Sequence, residues 1–402
     1  MKDKVDISFV VNPEARKRHV IYSYTHAFSH SVARDVRQFH RSFPQYEPTP
    51  LVRLTNLARE LRVADIWIKD ESFRFGLNAF KVLGASHAMA SALTEKMGTH
   101  ADDLSFDSFR STHASRTLGD ITFVTATDGN HGRAVAWASR ELGCNAVVYM
   151  PKGTASARFN AIKDLGAETK IIEGNYDDAV HLAAQQARKH GWILLQDTAW
   201  RDYEKIPTRV MQGYLTILNE ALEQLEGDIP THVFAQCGVG SFAGALQAYL
   251  FELFGPHRPV FVVVEADKAA CYYQSMLSHN GTPQTISGDL DTIMAGLACG
   301  EPSTLAWSIL RHHADMFVSC NDAVSIKGMR VLGRPLSGDT RVISGESGAV
   351  TAGLLSFILT PGPYTELAKA LGIHQGSRIL LVSTEGDTDA EMYRRILSGD
   401  IE

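Results

Sequence analysis

Lys81 opens the run Lys81-Val-Leu-Gly-Ala-Ser-His-Ala-Met-Ala90, whose apolar spacing predicts a helix to about residue 97, and the alternating Asp65-Ile-Trp-Ile-Lys-Asp70 before it predicts a strand. A lysine at that handover sits beside the partial positive charge of a helix start, which with burial favours the neutral amine. A neutral amine can attack a carbonyl and hold it as a Schiff base. The same side chain could instead lay its methylenes on the surface. A second stretch, Thr127-Asp128-Gly129-Asn130-His131-Gly132, also joins a strand to a helix. Its helix-start N–H groups suit a carboxylate, and Asn130 could donate to a phenolate oxygen. Read alone it is a turn with an N-cap. A third, Gly238-Val239-Gly240-Ser241-Phe-Ala-Gly244, follows a strand and opens a helix, so its backbone N–H groups could hold a phosphate. The spacing is GxGxxxG rather than the dinucleotide GxGxxG, although Glu265 and Asp267 end the next strand where a ribose-binding acid would stand. The sixteen histidines contain no HExxH or other ligand spacing, and no catalytic metal is expected.

These stretches need a scaffold of alternating strands and helices. Strands are predicted over 121–126, 146–150, 169–172 and 192–195, with helices near 156–165 and 176–190 between them. A second alternating series has strands at 231–236, 259–265, 316–319 and 378–382. Such alternation implies parallel sheets covered by helices, in two α/β units that share a cleft. Residues 98–120 are polar and read as loop with some local helix. Prolines 48 and 50 force an extended segment.

The 402 residues are 45% hydrophobic, enough for a large core. A net charge of -6 without a Lys/Arg stripe argues against nucleic-acid and acidic-membrane binding. No stretch reaches bilayer-spanning length, and the N-terminus has no apolar leader core, so a cytoplasmic protein is expected. Five scattered cysteines without a CxxC pair fit a reducing compartment. Cys271 and Cys299, both in predicted loops, could lie close enough to bridge on oxidation, or could be unrelated buried thiols.

Pro48-Thr-Pro-Leu51, Lys-Asp-Glu-Ser72 with Arg-Phe-Gly-Leu-Asn-Ala-Phe-Lys81, Thr127 to Gly132, and Gln196-Asp-Thr-Ala-Trp200 occur in an order that resembles the fold-type-II pyridoxal-phosphate enzymes. So do Met211-Gln-Gly-Tyr214, Ile293-Met-Ala-Gly-Leu-Ala-Cys-Gly-Glu-Pro302, Gly345-Glu-Ser-Gly-Ala349 and Ser383-Thr-Glu-Gly-Asp-Thr-Asp389. The resemblance covers nearly the whole chain. It implies two α/β domains, the larger discontinuous over 1–84 and 204–402 and the smaller over 85–203, with pyridoxal phosphate in the cleft. Lys81 should carry the cofactor, Gly238, Val239, Gly240 and Ser241 its phosphate, and Asn130 its ring hydroxyl. Glu346 should contact it, and Ser383, or failing that Thr384, should face the pyridine nitrogen. Thr127, Asp128, Gly129 and His131 should bind substrate. A hydroxyl at the ring nitrogen weakens the electron sink and favours prompt β-elimination.

Asp128 stands where hydroxyamino-acid dehydratases of this fold have a small residue. A carboxylate there can pair with a second ammonium or take an α-proton. The implied reaction therefore converts 2,3-diaminopropionate to pyruvate and two ammonia, with Asp128 serving the D form, Asp197 the L form, and a homodimer as the assembly. A serine/threonine-type dehydratase or β-replacement synthase is the alternative of the same fold. A nicotinamide-dependent dehydrogenase using the glycine loop and Glu265, or a non-catalytic amino-acid-binding protein, would be a different class.

Overall fold

A computed structural model describes residues 4–16, 25–98, 104–110, 118–127, 129–278 and 281–401. Its strands in chain order are β1 (Ile7–Val11), β2 (Leu51–Arg53), β3 (Asp65–Asp70), β4 (Thr122–Ala126), β5 (Asn145–Met150) and β6 (Glu168–Ile171). They continue as β7 (Ile193–Leu194), β8 (His232–Gln236), β9 (Val260–Ala266), β10 (Met316–Cys320) and β11 (Arg378–Ser383). Two compact units result, one drawn from Met1–His30, Pro48–Phe73 and Ile217–Glu402, the other from Ser31–Glu47 and Arg74–Thr216. The span 85–203, expected as the smaller domain, falls within the second unit, which extends further on both sides.

The first unit holds a seven-stranded sheet in the order β1-β10-β9-β8-β11-β3-β2. The inner strands run parallel, and β1 and β2 cap the edges antiparallel. The inner strands are buried along nearly their whole length, as in Val260–Ala266, which is apolar except for Glu265. Ile66, Ile68, Phe234, Val262, Val264 and Val318 form its core. Register pairs Phe234 of β8 with Leu381 of β11, so the loops after Gln236 and Ser383 leave the same end of the sheet. Strand β1 was not expected from the sequence. Among the described residues its ladder is with β10 near the other end of the chain, and a local pattern carries no trace of that pairing.

The second unit holds a four-stranded parallel sheet, β6-β5-β4-β7, packed on Ala179 and Ala183 of the helix Tyr176–His190. The helix Val82–Met97 lies on the helix Asn130–Leu142. It also meets the helix Lys205–Gln224 at a glycine contact. A Cβ on Gly213 would stand 2.2 Å from the Leu83 carbonyl oxygen, and one on Gly84 would stand 2.6 Å from the Tyr214 ring. Only glycines allow this approach, and it fixes the turn that begins at Lys81.

Candidate active site

In the second unit, Lys81 stands in helical conformation immediately before the helix Val82–Met97, at the predicted handover. Its Nζ donates to Asp197 Oδ2 at 2.9 Å. The Lys81 side chain keeps 18% of its surface exposed, while that of Asp197 keeps 3%. Burial alone would raise the Asp197 pKa. The Lys81 ammonium, His131 and hydrogen bonds from Lys81 and the backbone outweigh burial and hold it at about 2. The helix-end field that favours a neutral Lys81 in the sequence reading is opposed in the structure by a carboxylate in direct contact, a partner that local sequence does not reveal.

His131 is buried, and its Nε2 lies 2.9 Å from the Leu195 carbonyl oxygen. A carbonyl only accepts, so Nε2 carries the proton. The other ring nitrogen, Nδ1, faces Asp197 Oδ2 at 3.9 Å. Lys81, Asp197 and His131 are thus brought together from three separate stretches. Thr127 Oγ1 accepts from the Gly129 N–H at 2.9 Å, and Asn130 is the first residue of its helix. Asp128 lies outside the described residues. Lys69 contrasts with Lys81. It is fully buried, with Nζ 2.7 Å from both Glu220 Oε2 and the Thr49 carbonyl and 2.9 Å from Gln224 Oε1.

In the first unit, Gly238, Val239 and Gly240 lead from β8 to the helix Ser241–Phe254. Gly240 has φ +95°, and a Cβ there would lie 1.9 Å from the Tyr272 hydroxyl. That hydroxyl donates to the Val239 carbonyl at 2.8 Å, and the Ser303 N–H does so at 3.0 Å. The Val239 carbonyl is therefore held by protein donors on a loop that runs into a helix N-terminus. Gly244 lies inside the helix, its N–H donating to the Gly240 carbonyl at 2.8 Å, so the short loop ends before it.

Beyond β11, Ser383 Oγ donates to Ser344 Oγ at 2.8 Å, while Thr384 Oγ1 accepts from Gln236 Nε2 at 3.0 Å. Glu346 opens the helix Glu346–Leu359, and its carbonyl accepts from Ser325 Oγ. Gln236 is the residue here that sequence reasoning passed over. Its position two residues before Gly238 of the glycine-loop stretch was the available signal.

Glu265 does not serve as a ribose acid. Its buried carboxyl accepts from the Tyr272 N–H at 2.8 Å and the Tyr273 N–H at 2.7 Å. Burial pushes its pKa up to about 8 against the pull of those donors. The dehydrogenase alternative loses its distinguishing group. Cys271 and Cys299 are free thiols, with Cys271 Sγ donating to the Cys299 carbonyl at 3.6 Å. Among the described residues no group of three or more His, Cys, Asp and Glu could hold a metal ion.

Residues 43–385 match the family described as pyridoxal-phosphate dependent enzymes. Diaminopropionate ammonia-lyase of Escherichia coli K12 is 49% identical over 373 residues, covering 92% of each chain. A holo crystal structure of the Escherichia coli diaminopropionate ammonia-lyase superposes with a TM-score of 0.91 at 45% identity, covering 98% of this chain and 97% of that one. The same enzyme in complex with the aminoacrylate-PLP azomethine reaction intermediate gives 0.89 at 45% identity, covering 99% and 98%.

Proposed function

The chain belongs to the pyridoxal-phosphate dependent enzymes, and from that premise we propose that it works as a diaminopropionate ammonia-lyase, taking 2,3-diaminopropionate to pyruvate and two ammonia by α,β-elimination. The structural observation that carries this reading is the Lys81–Asp197 pair at 2.9 Å, an amine and a carboxylate held almost out of water.

The residues present fit pyridoxal phosphate. The only partly exposed lysine of the strand-to-helix stretch is Lys81, whereas Lys69 is locked among oxygen partners. A Cβ at Gly238 would meet the Gly296 carbonyl oxygen at 2.8 Å and one at Gly240 the Tyr272 hydroxyl at 1.9 Å, so only glycines let this loop pack as it does while its backbone runs directly into a helix N-terminus, the donor set a phosphate needs. When bound, the cofactor supplies an electron sink for the electrons released at the substrate's α-carbon. Lys81 would hold its carbonyl carbon, and Gly238, Val239, Gly240 and Ser241 its phosphate. Asn130 would donate to its ring oxygen, and Glu346 would lie beside it.

Thr384 is the better partner for the ring nitrogen. Its oxygen already accepts from Gln236, so its proton can be given, whereas Ser383 spends its hydroxyl on Ser344. Thr127, Gly129 and the helix start at Asn130 would bind the substrate carboxylate. Asp197, in direct contact with Lys81, would take a proton at the α-carbon of the L form, with His131 supporting its loop. Asp128 would take the D form and pair with the second ammonium. The substrate's two amines distinguish this reading from a hydroxyamino-acid dehydratase.

A homodimer in the cytoplasm belongs to the same proposal, supported by the family resemblance and the five free thiols. The test of the lysine assignment is borohydride reduction of the purified yellow protein followed by peptide mass spectrometry. Cofactor fixed on the Lys81 peptide is the expected result, and cofactor on Lys69 or Lys327 would refute it.

A further inference from the structure

The backbone that presents Asp197 is gripped by side chains from separate elements. The Tyr203 hydroxyl donates to the Leu194 carbonyl at 2.9 Å and accepts from the Gln196 N–H at 3.0 Å. His131 Nε2 holds the intervening Leu195 carbonyl at 2.9 Å. The Gln196 side chain, fully buried, turns back into β4. Its Oε1 accepts from Thr125 Oγ1 at 2.8 Å and from the Ala126 N–H at 3.2 Å, and its Nε2 donates to the Ala126 carbonyl at 3.2 Å and the Tyr176 hydroxyl at 3.1 Å. Trp200 stacks on Tyr203 at 4.3 Å, closing the turn on the far side of Asp197. A strand end needs no such set of bonds to stop, because one or two turn bonds suffice.

We infer that Tyr203, with Gln196 behind it, is a positioning residue that aims the Asp197 carboxylate and so sets how well the L enantiomer is turned over relative to the D enantiomer. This rests on the reading of Asp197 as the L-side base. Tyr203 suits the task because one hydroxyl both donates and accepts, and burial pushes its pKa up so that the proton stays in place at any working pH. Placement of a base is sensitive to displacements well below the length of a bond pair.

The test uses the holoenzyme and its Tyr203→Phe, Tyr176→Phe and Asp197→Asn variants. Each is assayed on D- and L-2,3-diaminopropionate, with and without deuterium at the α-carbon, and hydrogen exchange is followed in the peptide containing residues 193–200. Tyr203→Phe should lower L turnover by about tenfold or more while D turnover changes by no more than about twofold. The isotope effect should rise for L alone, and exchange at 193–200 should speed up. Tyr176→Phe, which removes the outer bond to Gln196, should move the L-to-D ratio the same way by less, and it decides the matter if Tyr203→Phe does not fold.

Loss of global stability would lower both turnovers together and leave the isotope effects alone. That pattern in Tyr203→Phe, with Asp197→Asn still selective for L, would overturn the positioning role and spare the base assignment. An Asp197→Asn variant without enantiomer selectivity would overturn the base assignment itself.

Discussion

The amide of Gln236 donates to the Thr384 hydroxyl oxygen at 3.0 Å and to the Val382 carbonyl at 2.9 Å. One buried side chain at the end of β8 thus fixes the end of β11. Thr384→Val should weaken cofactor binding by roughly fivefold, the equivalent of one hydrogen bond of about 1 kcal/mol. Ser383→Ala should leave that affinity unchanged and lower only stability. Fluorescence titration of the cofactor decides between the two hydroxyls, and the opposite ranking would return the role to Ser383.

Asp128→Asn should lose about a hundredfold in D turnover with cofactor binding intact, and Asp197→Asn the same in L turnover, the scale of a positioned general base. Separate kinetics on each enantiomer check this. Equal losses on both would leave Lys81 as the base for one of them.

The buried Lys69–Glu220 pair, at 2.7 Å with both side chains fully covered, is expected to hold the first unit together rather than to react. Lys69→Met should cost about 3–5 kcal/mol because it strands a buried carboxylate, and adding Glu220→Leu should restore most of that. Urea melts of the single and double variants measure it. A Lys69→Met protein of unchanged stability would show that Glu220 is not stranded.

His87 gives a pH dependence of stability with a definite sign. Burial, opposed by the bond of its Nδ1 to the Arg209 carbonyl and aided by the Arg209 charge, lowers its pKa from 6.5 to about 4. The unfolded chain therefore takes up the proton first, and stability is full above 6.5, falls toward about 4 and is flat below. The slope in that window is about 1.4 kcal/mol per pH unit. His87→Gln, which can still donate to the carbonyl, should remove this slope. His313 adds a like term and Glu265 one of opposite sign, so the comparison of wild type with variant isolates His87.

Much of this was legible in the chain. The apolar spacing after Lys81 and the alternation of strands and helices located the elements, because each signal is local. The order of motifs singled out Lys81 and Asp197, which the structure brings to 2.9 Å, and a glycine loop that runs into a helix start. What escaped reading were relations across long separations: the ladder of β1 with β10, the Lys81 ion pair, and the grip of Tyr203 on the backbone before Asp197. Glu265 could be offered within the dehydrogenase alternative because an acid ending a strand looks the same whether it meets a ribose or accepts from the first N–H groups of the next helix.

The stoichiometry of ammonia to pyruvate released from 2,3-diaminopropionate tests the central claim most directly. Two ammonia per pyruvate, with both enantiomers as substrates, is the expected result. One ammonia per pyruvate from serine or threonine, with no pyruvate from 2,3-diaminopropionate, would contradict it and make the protein a dehydratase of the same fold.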